Sequence, residues 1–398
     1  MDGIVDFWKL PSPVASMSTS DPPFRLIDCH AHTYPSQFPQ CDFLPLLRRA
    51  AAACVSHIVT VPETLADAHE ILALARSHPL ILPTECRTGD IDSADQTEPP
   101  VGRTAPTCSA QHNSGLLGLK IAPAIGLHPV QPGPYPPDVD ATSAGFLEPS
   151  SSTTLSHSVQ LCELEPVLAL IRSEAESGMK GRSGITLQET GESNASVGTA
   201  GMVCIGEIGL DFSPNVVGKS TGGESSSSSN SNSTSSIIAL KTEELKAVQR
   251  EVFRRQLSLA AELSLPVNVH SRSAGHHAIE ELVQSGLPAT SAALMHAFDG
   301  RLVHAERAER HGGFFFSVPP SVVRSPQTQK IVKGLPLSCL VLETDSPALA
   351  PEKGAINEPS NIAVSCREIA RIHGITVAEV AKTTSENALR LFPRLKLS

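Results

Sequence analysis

The sequence predicts a closed TIM-type (β/α)8 barrel, a single α/β domain with metal-binding side chains at its mouth. Three observations carry that prediction. Eight short apolar runs recur, at 24–29, 57–62, 121–127, 202–206, 266–269, 292–295, 314–318 and 339–344. Helix-like segments separate most of them. Side chains able to bind metals stand at the ends of several runs, where barrel enzymes place their chemistry.

Taken in order, most of the runs are apolar throughout rather than alternating, the pattern of strands buried on both faces. Helices are expected at 43–54, 63–77, 160–176, 241–263, 275–285, 301–311 and 361–373. In the longest, Leu245, Val248, Val252, Leu259 and Leu263 recur on one helical face. Asp299 or Gly300 is expected to begin the helix after the sixth strand. A last helix over 376–391, with Thr376 and Glu379 as a capping box, is expected to cover the outside. An open doubly wound sheet is the alternative, but it would not gather the loops of all these strands at one mouth.

The chain has 398 residues, more than the roughly 250 of a plain barrel. Residues 1–23, rich in Pro and Ser, read as a flexible N-terminal segment, and 24–398 as one domain. The excess falls in insertions near 84–118, 131–158, 177–200 and 213–239. The last contains SSSSSNSNSTSS, too polar and repetitive to build a core. Surface loops tolerate such length at modest entropic cost.

A formal net charge of −10 argues against a broad basic face for nucleic acid or membrane. Bound metal ions can still make one site locally cationic. The nine cysteines are odd in number and form no CxxC pair. Cys29, Cys204 and Cys339 lie in apolar runs and read as buried free thiols, which argues against a disulfide framework and for a reducing compartment. Acids and prolines near the N-terminus disfavour a signal peptide, and no run approaches a membrane span. A cytoplasmic or nuclear monomer without an obligate protein partner is the expectation.

Six residues form the candidate metal set. His30 and His32, in LIDCHAH, are alternate residues at a strand end and face the same way. Glu207, in VCIGEIGLD, ends the fourth run; its two oxygens suit two metals, or it forms a buried salt bridge with Arg272. His270 and His296 end the fifth and sixth runs, and Asp345 follows the eighth, beside the first in a closed barrel. Four imidazoles and two carboxylates suit one or two divalent transition metals. Around them, Asp211 is read as orienting a ligand or its loop. Glu343 is read as a hydrogen-bonding group of the barrel core or as orienting a ligand. His128, in GLHP, either contacts substrate or braces its loop, and Arg272 and Arg324 hold a phosphate or form structural ion pairs.

The ordered series HxH, GLHP, GEIGLDF, VNVHSR, HAFDG, LETDSP and NEPSNI resembles the TatD family of metal-dependent deoxyribonucleases. HPVQ, LPVNVHSRSAG, HAFDGR and ETDSPALAPEK are similar to its TatD domain-containing 3 branch. The resemblance runs from about Leu26 to Phe392. It implies a barrel hydrolase related to the amidohydrolases, with one ion on His30, His32 and Asp345. Glu207 would bridge to a second ion held by His270 and His296. The implied reaction is phosphodiester hydrolysis of DNA, favouring exonucleolytic attack, by a two-metal-activated water with Asp345 as proton acceptor. The metals would be Zn, Mn, Ni or Fe, with Mg able to substitute. Two departures stand out: Ile356 replaces an Arg common before NEP, and Ser360 replaces an aromatic residue. They bear on substrate contacts near Asn357 and Glu358.

Two other functions fit the same sequence. One is hydrolysis of a small ester, an amide or a phosphate monoester on this scaffold. Glu207, standing where many amidohydrolases carry a bridging Lys, favours the TatD-type reading. The other is a binding protein without catalysis, for which a full set of ligands has no use.

Overall fold

Why the eight apolar runs curl into one sheet is visible in their pairing. A computed structural model describes residues 25–40, 43–77, 119–133, 156–180, 201–218, 231–287 and 292–397. The strands are β1 (Leu26–Ala31), β2 (Val55–Thr60), β3 (Lys120–Ile125), β4 (Val130–Pro132), β5 (Ser156–Ser158), β6 (Cys204–Gly209), β7 (Val267–His270), β8 (Ala293–Met295), β9 (Phe314–Val318) and β10 (Leu340–Leu342). Eight of them form one parallel sheet in the order β1-β2-β3-β6-β7-β8-β9-β10. Its two edges meet: Asp345 N donates to His30 O and His32 N to Ser346 O, each at 2.9 Å. Asp28 fastens the seam, accepting from Thr344 N at 2.9 Å and from Thr344 Oγ1 at 2.6 Å. The fold is the TIM barrel the sequence predicts.

Alternation sorts the strand residues into two cores. Leu26, Ile58, Ile121, Met295, Phe316 and Leu342 face outward against the helices. Ile27, Cys29, Val59, Ala124, Phe315 and Val341 belong to a separate interior cluster. That cluster also takes in Leu391, Phe392 and Leu395, from the end of the last helix and the turn after it. Asn387 Nδ2 donates to Leu340 O at 2.7 Å, and Arg394 Nη1 to Met202 O at 2.9 Å. The last helix therefore does more than cover the outside. Its apolar end fills the barrel opening at the strand N-termini, because Phe392 and Leu395 carry the apolar pattern past the helix.

The helices follow their strands as expected, with three differences. The longest spans Ser231–Leu263 and so begins inside the fourth insertion rather than at 241. Its Val252 and Leu259 are buried, with Leu245, Val248 and Leu263 packed beside them. The helix after β8 begins at Leu302 with Arg301 at its cap, not at Asp299 or Gly300. A helix over Pro326–Gly334, between β9 and β10, has no counterpart in the sequence reading. Ser325 caps it, accepting from Thr328 N, and Pro326 stands in its first turn, where no donor is needed. Thr376 caps the last helix by accepting from Glu379 N at 3.1 Å.

The flanks of the second insertion pair as the antiparallel ribbon β4-β5. Residues 1–23, the first insertion, most of the second and third, and 219–230 of the fourth lie outside the described residues. Among the described residues, Cys29, Cys204 and Cys339 are buried and free, as expected. Cys54, by contrast, is disulfide-bonded, because spacing alone does not reveal which thiols folding brings together. No described helix is long and apolar enough to cross a membrane.

Candidate metal centre

The six candidate ligands converge at the C-terminal ends of the strands, where the sheet contracts around Glu207. Two glycines make that contraction possible. A Cβ on Gly206 would stand 2.5 Å from Asn268 Cβ, and one on Gly209 only 2.0 Å from His270 O. Without side chains at 206 and 209, β6 presses against β7 and sets Glu207 next to His270.

The two carboxylate oxygens of Glu207 face different imidazoles. Oε2 lies 3.6 Å from His30 Nε2 and 3.4 Å from His32 Nε2. Oε1 lies 2.7 Å from His270 Nδ1 and 2.8 Å from His296 Nε2. Asp345 joins the first side, with Oδ1 3.4 Å from His30 Nε2 and 3.7 Å from His32 Nε2. The His30 and His296 rings stack with centroids 3.7 Å apart, so the two sides are contiguous. Glu207 faces these imidazoles rather than forming the alternative salt bridge with Arg272.

His128 stands inside this group. Its Nε2 is 3.6 Å from Glu207 Oε1, its ring meets His270 edge-on, and Nδ1 is fixed by Val130 O at 2.9 Å. His128, Glu207 and His270 together could hold an ion, as could His30, His32 and Glu207, or His30, His296 and Asp345. His128, expected to contact substrate or brace its loop, bonds Val130 of that loop and also stands beside the candidate metal ligands.

The electrostatics fit a cation. Burial opposes ionisation of Glu207, yet His296, His128, His30 and His270 hold its carboxyl well below the usual range. Asp345 is also lowered, against burial, by His30, His296 and His32. Burial alone would lower His32, but hydrogen bonding and charge from Glu207 raise it to about 9. Burial pushes His128 down to about 4. His30 Nε2 and Glu207 Oε2 are buried without a hydrogen-bond partner among the described residues. Two such atoms facing each other are costly unless a cation lies between them, so the residues fit a metal.

A family model described as TatD related DNase matches residues 114–393. Deoxyribonuclease TATDN3 of Homo sapiens is 34% identical over 371 residues, covering 93% of this chain and 96% of the human one. The chain belongs to the TatD family. It is a metal-dependent hydrolase of that family. The TatD relative from Erwinia tasmaniensis, described as a 3'-5' ssDNA/RNA exonuclease, is 29% identical over 54% of this chain and 73% of its own. A solved TatD family hydrolase from Entamoeba histolytica matches with a TM-score of 0.56 at 16% identity, covering 93% of this chain and 98% of its own. That likeness shows the fold.

Around the six candidate ligands, the structure places the other candidates as follows. Asp211 Oδ2 lies 3.4 Å from His270 Nε2, and its Oδ1 accepts from Ser213 N at 2.8 Å. Glu343 accepts from Ser317 Oγ at 2.6 Å and Ala297 N at 2.9 Å, with Oε2 3.7 Å from His296 Nδ1. Arg272 and Arg324 line a cavity of about 230 Å³ that also reaches His270, His296 and Asp345. Arg324 spends Nε and Nη2 on Ala350 O, at 3.2 and 3.1 Å. Glu358 is turned elsewhere: Arg49 Nε donates to both of its oxygens at 2.9 Å, and Ser360 Oγ donates to it as well. The polar Ser360 that departs from the family thus engages Glu358, which is drawn away from a substrate role by a guanidinium the sequence reading did not pair with it.

Several functional neighbours were not singled out from sequence. Asn268 Oδ1 accepts from His30 Nδ1 at 2.9 Å while its Nδ2 donates to Cys29 O. The alternation of VNVH was the available signal: Asn268 is two residues before His270 and shares its face. Gln249 and Gln256, on the longest helix, bind the main chain at Asp211 and Leu127.

Proposed function

We propose that this protein is a deoxyribonuclease that hydrolyses phosphodiester bonds, working from strand ends, with two divalent ions bound at the barrel mouth. One observation carries the reading: Glu207 turns one oxygen to His30 and His32 and the other to His270 and His296. A carboxylate so divided suits a bridge between ions. His30, His32 and Asp345 would hold one, and His270 and His296 the other, with His128 close enough to assist. The imidazole-rich set favours Zn, Mn, Ni or Fe over Mg.

Such ions supply Lewis-acid activation of water and of a phosphoryl oxygen. The chain's own residues do the rest. Asp345, kept ionised by its imidazole neighbours, takes the proton from the attacking water. Arg272, at the rim of the 230 Å³ cavity, meets the phosphate charge. The recessed site admits a strand end more readily than the middle of a duplex. DNA is the substrate class named for the human relative and single-stranded nucleic acid for the Erwinia one.

The test uses purified protein, its metals measured, with end-labelled single- and double-stranded DNA beside a panel of small esters. Metal-dependent cleavage from strand ends, lost in His30→Ala and Glu207→Gln, is the expected result. Cleavage surviving both substitutions would overturn the site. Ester turnover without DNA cleavage would replace the substrate class.

A further inference from the structure

The imidazoles around Glu207 differ in what stands behind them. His32 Nδ1 is backed by Val61 O at 3.2 Å, and His30 Nδ1 by Asn268 Oδ1 at 2.9 Å. Both supports are neutral. His270 Nε2 is hydrogen-bonded to the Asp211 carboxylate at 3.4 Å, and His296 Nδ1, without a hydrogen-bond partner among the described residues, lies 3.7 Å from the Glu343 carboxylate. The division follows that of Glu207: its Oε2 meets the imidazoles with neutral supports, its Oε1 those with anionic ones.

From this asymmetry, resting on the two-ion reading above, we propose that the two metal positions have different affinities: the His270–His296 position fills first and holds its ion, and the His30–His32 position is the exchangeable one. A carboxylate hydrogen-bonded to the far nitrogen, as Asp211 is to His270, increases the donor strength of the near nitrogen and fixes the tautomer, while Glu343 acts on His296 through its charge. A carbonyl or amide oxygen fixes the tautomer but adds no charge. Asp211 and Glu343 are thus positioning residues that set the order of filling. Both are held rigidly for that task. Asp211 is 2% exposed and tied at its own main chain by Gln249, and Glu343 is fully buried between Ser317 and Ala297. His128, whose Nδ1 meets the main-chain O and N of Val130, adds a neutral donor to the tight position. The exchangeable position also carries Asp345, which lines the cavity at the barrel mouth beside His270 and His296 of the tighter position.

The experiment is a Mn²⁺ titration of the full chain after removal of bound metal by chelation. Free Mn²⁺ is followed by electron paramagnetic resonance, and the metal-free melting temperature is recorded for every variant. Wild type is expected to bind two equivalents in separable steps. Asp211→Asn, and independently Glu343→Gln, should raise the dissociation constant of the tighter step about 10–100-fold and leave the weaker step unchanged. His32→Ala should remove the weaker step alone. Loss of the tighter step in His32→Ala, or an effect of Asp211→Asn and Glu343→Gln on the weaker step or on neither, would overturn the order of filling while the two-ion reading stands. A wild-type protein that never binds a second equivalent would instead remove the two-ion reading, and this proposal with it.

Discussion

Gln249 holds the main chain of Asp211 from both sides: its Oε1 accepts from Asp211 N at 2.8 Å and its Nε2 donates to Asp211 O at 3.0 Å. Seven residues further along the same helix, Gln256 does the same for Leu127, at 2.8 and 3.2 Å. Seven residues are close to two helical turns, so both amides project from one face toward the barrel mouth. One helix thereby registers two site loops, the one bearing Asp211 and the one bearing His128. Neither glutamine touches the metal centre itself.

Gln249→Ala should therefore cost stability and disturb the site together. It leaves a buried N–H and a buried carbonyl of Asp211 without their partner, at about 1–3 kcal/mol for each group. A loss of about 3 kcal/mol in urea unfolding is expected, with weaker Mn²⁺ binding. Gln256→Ala should cost a similar amount but act on the His128 loop. An unchanged unfolding midpoint in both variants would show that the loops hold their places without the helix.

Gly209→Ala should be more damaging than most core substitutions. The added methyl would meet His270 O at 2.0 Å, and the residue has a φ of +144° that side chains rarely adopt. Backbone rather than a flexible side chain blocks the space, so β6 and β7 must part. A cost of about 3 kcal/mol or more is expected. Because β7 carries His270, metal binding should fall in the fraction that still folds, measured as metal per folded chain. A variant with native stability and full metal content would show that the close approach of the two strands is not needed.

Metal affinity should rise with pH, and the shifts set the window. In the metal-free protein His32 titrates at about 9, and His270 and His296 are raised as well. Glu207 and Asp345 are lowered and His128 is down at about 4, so these are ready to coordinate at neutral pH. Protons on the raised imidazoles must leave before a cation binds. Apparent affinity should thus increase from pH 6 upward, about tenfold per pH unit for each proton displaced, and flatten near the His32 value. Mn²⁺ titrations under argon at pH 6, 7 and 8 check this. A flat profile would mean that the imidazoles are already neutral.

The strands and the candidate ligands were legible because each is a local pattern: an apolar run and the residue that ends it. His30, His270 and Asp345 are visible in that way. What holds them was not. Asn268 sits on the readable strand VNVH, but its partner His30 is 238 positions away. Gln256 and Leu127 are 129 apart, and a glutamine on a helix carries no mark of being buried. The helix Pro326–Gly334 was not expected, although Pro326 in a first turn is a start signal. The end of the last helix read as an amphipathic cover; that Phe392 and Leu395 fill the barrel interior follows only once the barrel is closed.

Ile356 offers the sharpest test of substrate class. It is 63% exposed, and its neighbour Asn357 donates from Nδ2 to Thr344 O at 2.7 Å, one residue before Asp345. Asn357 N also donates to Pro347 O at 2.9 Å, so this loop is anchored beside the candidate ligand Asp345 while position 356 faces solvent. Arg at this position would add a cation there without displacing a buried group. If the substrate is a polyanionic strand, Ile356→Arg should lower KM for single-stranded DNA. It should also steepen the dependence of log KM on log salt by about 0.7, the share of one phosphate contact. The metal content and kcat should not change, since the ligands are untouched. A small neutral ester would gain nothing from the same substitution. Lower KM for the ester, or no salt-dependent gain for DNA, would argue that the strand does not pass over this loop.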